Sequence, residues 1–234
     1  TQILKIHRTV ALVSATSGQM LTFPSIPSLS FDVSAVHLDR LLPGCGKSSY
    51  PPSLLHRVIG GSEATKGAYP WQVSLLLAGN HGCGGTLVNS RWIVSAAHLL
   101  KNILFILRDV DTSSAYVQPA CLPTYGDNFE GSSDCWMSGW GATGGKINYT
   151  LISINSICAN YYGSELHQGM ICFGTQTTGG CFGDSGGPMV CRRNGVFTLA
   201  GATSWGTPNC NGKPTIFADV VFYLNWINEQ MSKY

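Results

Sequence analysis

The composition of the sequence predicts an all-β fold. Charged residues make up only 11% of the 234 residues, while apolar residues make up 44%. The 28 glycines are typical of a chain with many turns between short strands. These observations favour short strands over long helices. The length is sufficient for one large or two small domains.

Charge and cysteine content exclude several classes of protein. A net charge of +2 is too small to indicate nucleic-acid binding, and no apolar run reaches the ~18 residues of a membrane span. Nine cysteines without a Cys-x-x-Cys pair favour a secreted, disulfide-bonded protein over a zinc protein. We therefore expect an extracellular protein with no metal, no cofactor, no nucleic-acid partner and no membrane span. The odd cysteine count leaves one thiol over.

Residues 1–44 predict a poorly ordered tail or the end of an upstream module. Residues 9–15 form a short apolar run after Lys5, His7 and Arg8, which weakly resembles a signal peptide. Residues 23–28 contain two prolines and indicate a linker. The character of the chain changes at residue 45.

The most informative stretch is 181–188, Cys-Phe-Gly-Asp-Ser-Gly-Gly-Pro, here called the nucleophile loop. A serine hydroxyl attacks an amide only when a base removes its proton and donors stabilise the oxyanion that forms. A glycine before the Asp-Ser pair allows the backbone to turn, so that the N–H groups of Gly183 and Ser185 point at one spot. We predict Ser185 as a nucleophile and these two N–H groups as an oxyanion hole. Taken alone, the stretch is also compatible with an ordinary turn.

Further motifs accompany the nucleophile loop. Residues 57–61 read Arg-Val-Ile-Gly-Gly, residues 95–98 read Ser-Ala-Ala-His, and residues 135–141 read Cys-Trp-Met-Ser-Gly-Trp-Gly. Together and in this order, the motifs resemble the chymotrypsin/trypsin-like serine protease family over residues 45–234. The resemblance implies two antiparallel six-stranded β-barrels, the first truncated, with a C-terminal helix.

The resemblance also divides the chain into parts. Residues 1–44 are the tail, residues 45–57 a propeptide or light-chain segment, and residues 58–234 the protease domain. The C-terminal helix is indicated independently, because five apolar positions share one helical face: Val220, Tyr223, Leu224, Ile227 and Met231.

Catalysis and activation follow from the same resemblance. His98 is implied as the base that takes the proton of Ser185 and later donates it to the leaving amine. Cleavage after Arg57 would free the amine of Val58, which would fold inward and pair with Asp184. Because this ion pair needs both charges, cleavage acts as the switch. An exposed arginine before a glycine turn is the alternative interpretation.

Eight of the nine cysteines pair by family position, and Cys83 is left as a free thiol. The resemblance implies four disulfides, which are Cys45–Cys121, Cys135–Cys191, Cys158–Cys172 and Cys181–Cys210.

The resemblance places a substrate pocket beside the nucleophile. Gly179 at its floor offers no counter-charge to a basic side chain, Gly206 leaves its wall open, and Thr215 resembles the elastase-like pattern. We expect a preference for small to medium apolar side chains before the scissile bond, or no pocket at all if the site is not assembled. The implied pocket residues are Gly179, Gly180, Ser204, Trp205, Gly206 and Thr215.

The chain departs from the family directly after His98. The family has a cysteine at the next position, and this chain has Leu99. About 138 residues separate the catalytic His and Ser in the family, and here the spacing is shorter by about 50. The position of the triad Asp falls on Ile103, and Asp109 and Asp111 lie beyond that apolar stretch. One excision after His98 explains both losses.

Three interpretations of function follow. The first is a secreted serine endopeptidase, made as a zymogen, in a shortened form that is impaired because the triad Asp is missing. The second is an inactive pseudoprotease that acts as a binding or regulatory module. The third is a chain that still cleaves peptides, with Asp109 or water in place of the acid.

The resemblance and one sequence motif also predict partners and a modification. We expect protein or peptide substrates, an activating trypsin-like protease and protein protease inhibitors as partners. The Asn-Tyr-Thr sequon predicts N-glycosylation at Asn148.

Overall fold

The computed structural model describes residues 10–13, 44–50, 62–77, 80–96, 110–130, 132–141, 148–152, 158–175, 179–210 and 212–233. Most of the regular structure in this part of the chain is strand, and the all-β prediction is confirmed. The strands are β1 (Val10–Val13), β2 (Ser62–Glu63), β3 (Gln72–Leu77), β4 (Asn80–Leu87), β5 (Ile93–Ala96), β6 (Cys135–Gly139), β7 (Asn148–Ile152), β8 (Met170–Phe173), β9 (Pro188–Arg193), β10 (Val196–Trp205) and β11 (Thr215–Asp219). The two helices are α1 (Cys158–Tyr162), which continues into a 3₁₀ turn at Gly163–Glu165, and α2 (Leu224–Lys233).

The first sheet has the strand order β1-β5-β4-β3 in the described residues. Strands β3 and β4 form an antiparallel hairpin, and β4 pairs antiparallel with β5. Strand β1, from the N-terminal tail, pairs with β5 in parallel. This parallel pair differs from the purely antiparallel barrel that the resemblance implied, because its strand comes from far upstream of the sheet rather than from a hairpin.

The second sheet has the strand order β2-β7-β6-β9-β10-β11-β8, and every pair in it is antiparallel. It contains seven strands because β2 pairs with β7 at its edge. Both sheets are open in this strand order, so the closure of six-stranded barrels stays a prediction. The register of β10 shifts between Leu199 and Gly201 and again between Thr203 and Trp205. Such irregularities bend a strand and re-aim its side chains, here at the end of β10 that carries Ser204.

One hydrophobic cluster joins the two sheets. It contains Ile93 from the first sheet and Val190 and Leu199 from the second, each at most 1% exposed. Trp71, which directly precedes β3, is fully buried, and its ring centroid lies 5.1 Å from that of Phe197 in β10. Each large apolar side chain buried in this way contributes about 1.5–3 kcal/mol to folding. The shared cluster holds β5 against β10, which brings the two sheets together at the candidate site.

The C-terminal helix is present, but it begins at Leu224, whereas the apolar pattern in the sequence begins at Val220. Residues 220–223 form a turn, in which the Asp219 carboxylate accepts the N–H of Val221 at 2.9 Å. This side-chain hydrogen bond favours a turn over a first helical turn. Leu224 and Ile227 are buried as expected for the apolar face.

Candidate active site

Backbone hydrogen bonds hold the nucleophile loop between the two sheets. Ser185 is half-buried, and its carbonyl accepts the N–H of Gly84 in β4 at 2.8 Å. Gly186 donates its N–H to the carbonyl of Thr203 in β10 at 2.7 Å, and Thr203 donates to Gly187 at 2.9 Å. Ser185 is therefore fixed from both sides by main-chain contacts, which depend little on side-chain motion.

Two positions in the loop require glycine. Gly183 and Gly186 have φ values of 93° and 79°, in the left-handed region that disfavours other residues. A Cβ on Gly186 would also collide with Ser95 Oγ and lie 2.6 Å from the Gly84 carbonyl oxygen. In the described part of the chain, the N–H groups of Gly183 and Ser185 donate to no protein acceptor. The two groups are thus available to a ligand.

Asp184 is anchored beneath the loop. Its side chain is buried, with Oδ1 accepting the N–H of Gly141 at 2.7 Å and Oδ2 that of Cys181 at 2.9 Å. Burial raises the pKa of Asp184, while the two backbone hydrogen bonds and the nearby His81 act in the opposite direction. The carboxylate thus lies in a low-dielectric site, where an added cation would interact with it strongly.

His81 is a residue of the site to which the sequence analysis assigned no role. Its Nε2 lies 2.8 Å from the carbonyl oxygen of Gly183, and its Nδ1 lies 2.8 Å from Ser74 Oγ. Because a carbonyl only accepts, Nε2 is the donor, and in the neutral ring Nδ1 accepts from the hydroxyl of Ser74. The ring also packs on Trp140, with centroids 4.7 Å apart. No sequence signal relates His81 to Gly183, since the two lie 102 positions apart.

Three of the predicted pocket residues, Gly179, Gly180 and Thr215, lie close together. The Oγ1 of Thr215 in β11 accepts the N–H of Gly180 at 2.8 Å. A Cβ on Gly179 would collide with that same oxygen, and a Cβ on Gly180 would lie 2.6 Å from the terminal methyl of Met137. Thr215 and Met137 therefore limit the depth beneath the two glycines, and Met137 was missed by the sequence analysis. A Cβ on Gly206, by contrast, would meet only Thr215 Oγ1, at 4.0 Å.

The end of β10 supplies the remaining predicted pocket residues. Trp205 packs edge-on against Tyr162 of α1, with centroids 5.1 Å apart. Ser204 is 2% exposed, and its hydroxyl has no hydrogen-bond partner among the described residues. A buried hydroxyl without a partner is costly, by about 1–3 kcal/mol.

Strand β5 ends against the nucleophile loop. Ser95 Oγ donates to the carbonyl of Gly84 at 2.8 Å, and the Ala96 nitrogen would lie 3.0 Å from a Cβ on Gly186. The absence of a side chain at Gly186 thus permits a close approach of β5 to Ser185.

Several predicted site residues lie outside the described residues. They are Arg57, Val58, His98, Leu99, Ile103 and Asp109, and of Asn148 only the backbone, in β7, is described. Asp111 is described and exposed, and its carboxylate accepts the N–H of Ser113 at 2.9 Å. The pKa of Asp111 is lowered, mainly by a hydrogen bond from the side chain of Ser113 and to a smaller extent by one from its backbone. Asp111 thus caps its own turn.

The cysteines are joined in the four pairs that the resemblance implied: Cys45–Cys121, Cys135–Cys191, Cys158–Cys172 and Cys181–Cys210. The last of these ties the nucleophile loop to the segment after β10. Cys83 in β4 is free and buried, and burial raises the pKa of its thiol to about 11. It is therefore protonated and unreactive at neutral pH.

Within the described part of the chain, no three or more His, Cys, Asp or Glu side chains are grouped so that they could hold a metal ion. None of the described helices is long and apolar enough to cross a membrane.

A family model described as Trypsin matches the chain over residues 58–115 and 103–227. The two matched segments overlap at 103–115, in the stretch that follows His98. Together they include both sheets apart from β1, the nucleophile loop and the first part of α2.

Proposed function

The chain belongs to the trypsin family of serine peptidases, and we propose that it is a secreted serine endopeptidase, made as a zymogen and cut between Arg57 and Val58. In this proposal Ser185 attacks the scissile carbonyl, and His98 takes its proton and later donates it to the leaving amine. The four disulfides are consistent with an oxidising, extracellular setting.

The observation that carries the proposal is the approach of β5 to the nucleophile loop. The Ala96 nitrogen would lie 3.0 Å from a Cβ on Gly186, the neighbour of Ser185. His98 follows Ala96 by two positions, and two residues advance a chain by at most about 7 Å. We propose that this short connection brings the imidazole of His98 to hydrogen-bond distance of the Ser185 hydroxyl, as proton transfer requires.

Two free donors support the proposed oxyanion hole. The N–H groups of Gly183 and Ser185 are not used by described acceptors, and they flank the anchored Asp184. Fixed donors that are unoccupied in the free protein can stabilise a developing oxyanion without reorganising. His81 supports this arrangement from behind by its hydrogen bond to the Gly183 carbonyl.

The environment of Asp184 supports activation by cleavage. Burial raises the pKa of this carboxyl group, so its ionised form is disfavoured until a positive charge arrives. The ammonium that cleavage creates on Val58 would supply that charge. The pair would then form only in the cut protein, which makes the cut a switch.

The base of the pocket supports a preference for small to medium apolar side chains before the scissile bond. The hydroxyl of Thr215 lies directly beneath Gly179, and the methyl of Met137 lies behind Gly180. No carboxylate is part of this base in the described residues, so an Arg or Lys side chain would have no counter-charge there. In an apolar pocket, substrates whose side chains differ by one methylene are distinguished by about 1–3 kcal/mol of transition-state binding free energy.

We further propose that the chain is catalytically impaired because it lacks the triad acid. The buried Ser204 hydroxyl has no partner in the described part of the chain, and Asp111 is exposed and bonded to Ser113. Removal of the acid from a Ser-His-Asp triad costs about 10⁴ in rate, which is about 5.4 kcal/mol of barrier. The alternative function is an inactive pseudoprotease that binds partners through the same surface.

A serine-directed fluorophosphonate tests the proposal after cleavage at Arg57. Ser185→Ala and His98→Ala are the matched controls. If Ser185 of the unchanged chain is labelled faster than Ser185 of the His98→Ala variant, the result supports a residual peptidase. If the unchanged chain and the His98→Ala variant are labelled at the same slow rate, the result supports the pseudoprotease. Labelling that persists in Ser185→Ala would exclude Ser185 as the nucleophile. Peptides with Ala, Val, Phe or Arg before the scissile bond then test the pocket, and Arg cleaved as well as Ala would contradict it.

The shortened stretch after His98 has its own test. Trypsin digestion of the natural protein should release a peptide that begins at Trp92 and continues through His98 into Leu99 and Leu100. A peptide in which a cysteine follows His98 would show that the natural protein contains the missing stretch. The protein would then be expected to have full triad activity.

A further inference from the structure

Without β1, strand β5 would be an edge strand that lacks the usual protection of an edge. Its four residues, Ile93–Ala96, are all buried and include neither a charge nor a proline. Edges of this kind invite pairing with another strand, because one row of N–H and C=O groups is unpaired. In the described residues, β4 pairs with β5 on one side only. Shortly after β5, the chain has about 50 residues fewer than the family. The open side of β5 therefore needs an occupant.

The tail segment Val10–Val13 occupies that side. It pairs with β5 in parallel, with Val10 opposite Ile93 and Val13 opposite Ala96. Strand β4, by contrast, pairs only with Ile93 and Val94. Within the described strands, Ser95 and Ala96 are thus paired across the sheet by β1 alone. These are also the two residues that approach the nucleophile loop.

The composition and surroundings of β1 suit this position. Its sequence, Val-Ala-Leu-Val, is apolar and β-branched at both ends, which is typical of a strand in a covered sheet. Helix α2 lies against β1 as well. The segment is therefore covered by a second element in addition to its pairing with β5.

The N-terminal part of the chain is also held at a second place. Cys45 is bonded to Cys121, and Gly46 exchanges backbone hydrogen bonds with Pro119 and Phe197 at 2.7 and 2.8 Å. Further along, Ser48 Oγ donates to the carbonyl of Ala68 at 2.9 Å, and Tyr50 stacks on Tyr116 at 5.9 Å. A cut after Arg57 would leave all these contacts in place.

We propose that residues 10–13 are a permanent strand of the first sheet, which completes the open edge of β5 where the chain is shorter than its family. The tail stays bound after cleavage through Cys45–Cys121 and the contacts of residues 46–50. Its function is to steady Ser95 and Ala96, and through them the approach of β5 to Ser185. The occupant of the edge is thus this chain's own N-terminal segment.

Hydrogen exchange of the full chain tests the proposal. In a parallel pair, alternate residues of a strand bond to the same neighbour, so Ala11→Pro with Leu12→Pro removes a donor in either register. Gln19→Pro with Met20→Pro, in the stretch 14–43, is the matched control. We expect at least tenfold faster exchange, in the strand variant alone, of the one amide of Ser95 and Ala96 that faces β1. The amides of β9 report whether the molecule remains folded.

Each outcome decides for or against the proposal. Equal exchange of β5 in the strand variant and the control overturns it. If β9 also exchanges faster, a synthetic peptide of residues 8–15 is added in excess, and restored protection of β5 supports the proposal, whereas no restoration contradicts it. Unchanged protection of β5 together with a dimer in sedimentation would assign the edge to a second copy of the chain, and would also overturn the proposal.

Discussion

The carboxylate of Asp184 fills the space that a side chain on Gly139 would occupy. A Cβ on Gly139 would collide with Asp184 Oδ1 and lie 2.9 Å from its carboxyl carbon. The last residue of β6 thus has to be glycine for Asp184 to be buried. The two residues belong to different motifs of the sequence, Gly139 to residues 135–141 and Asp184 to residues 181–188.

Gly139→Ala should destabilise the protein by about 1–3 kcal/mol, because the added methyl forces Asp184 out of its position. Urea unfolding followed by tryptophan fluorescence measures the change. Gly206→Ala is the matched control, since a Cβ there would meet only Thr215 Oγ1, at 4.0 Å. A loss in the control as large as that in Gly139→Ala would contradict the prediction.

The stability of the uncut chain should fall as the pH rises through the raised pKa of Asp184. Burial raises this pKa in the folded state, so the folded chain holds more protons than the unfolded chain between the two pKa values. The free energy of unfolding therefore decreases with pH in that window, which begins near the ordinary carboxyl pKa of about 3.9. Asp184→Asn should remove this part of the dependence. Urea unfolding of both chains over that window would refute the prediction if the slopes were equal.

Cleavage after Arg57 should reverse that sign. In the proposed activated state the Val58 ammonium favours the ionised carboxylate, which lowers the folded pKa of Asp184 below the unfolded value. The contribution of Asp184 would then be present above the unfolded pKa and would be lost as the pH falls. Unfolding of the cut protein over a pH series that extends below about 3.9 measures this, and the sign seen for the uncut chain would argue against the Val58–Asp184 pair.

Replacement of His81 should slow the labelling of Ser185 by the phosphonate. It should leave unchanged the pKa of the group that takes the proton of Ser185, which is His98 in the proposed mechanism. His81→Leu removes the donor to the Gly183 carbonyl, whereas His81→Gln retains an N–H group that can reach it. We expect His81→Leu to lower the phosphonate labelling rate of the cut protein by at least tenfold and His81→Gln to recover part of it, with the pH profile unshifted. A shifted pH profile would instead assign His81 to proton transfer.

Cys83 should resist alkylation in the folded protein. With a pKa of about 11, about one thiol in a thousand is ionised at pH 8, and the group is also buried. Iodoacetamide should therefore modify Cys83 only after unfolding in denaturant, with the eight disulfide-bonded cysteines unmodified. Rapid modification under native conditions would show that β4 opens or that the thiol is accessible.

Composition was sufficient to predict the all-β fold class, and the glycine before the Asp-Ser pair was sufficient to predict the turn at Gly183. The roles of Asp184 and of the pocket residues Gly179, Gly180 and Thr215 came from the family resemblance, because no local pattern relates residues as far apart as Gly180 and Thr215, which are separated by 35 positions. The disulfide pairs came from family position, since nine cysteines alone leave the pairing open. The strand from the tail was not predicted, because a short apolar run is equally compatible with a leader, a core segment or a strand.

The amino-acid sequence therefore determines the family of this protein, through a serine between glycines, an acid beside it and a histidine after a buried strand. The tertiary structure alone decides which groups surround that serine. Asp184 and Gly141 are 43 positions apart, and His81 and Gly183 are 102 apart. Such pairs meet only because the two sheets share one core and place β4, β5 and β10 around a single loop, and no periodicity within one segment encodes that arrangement.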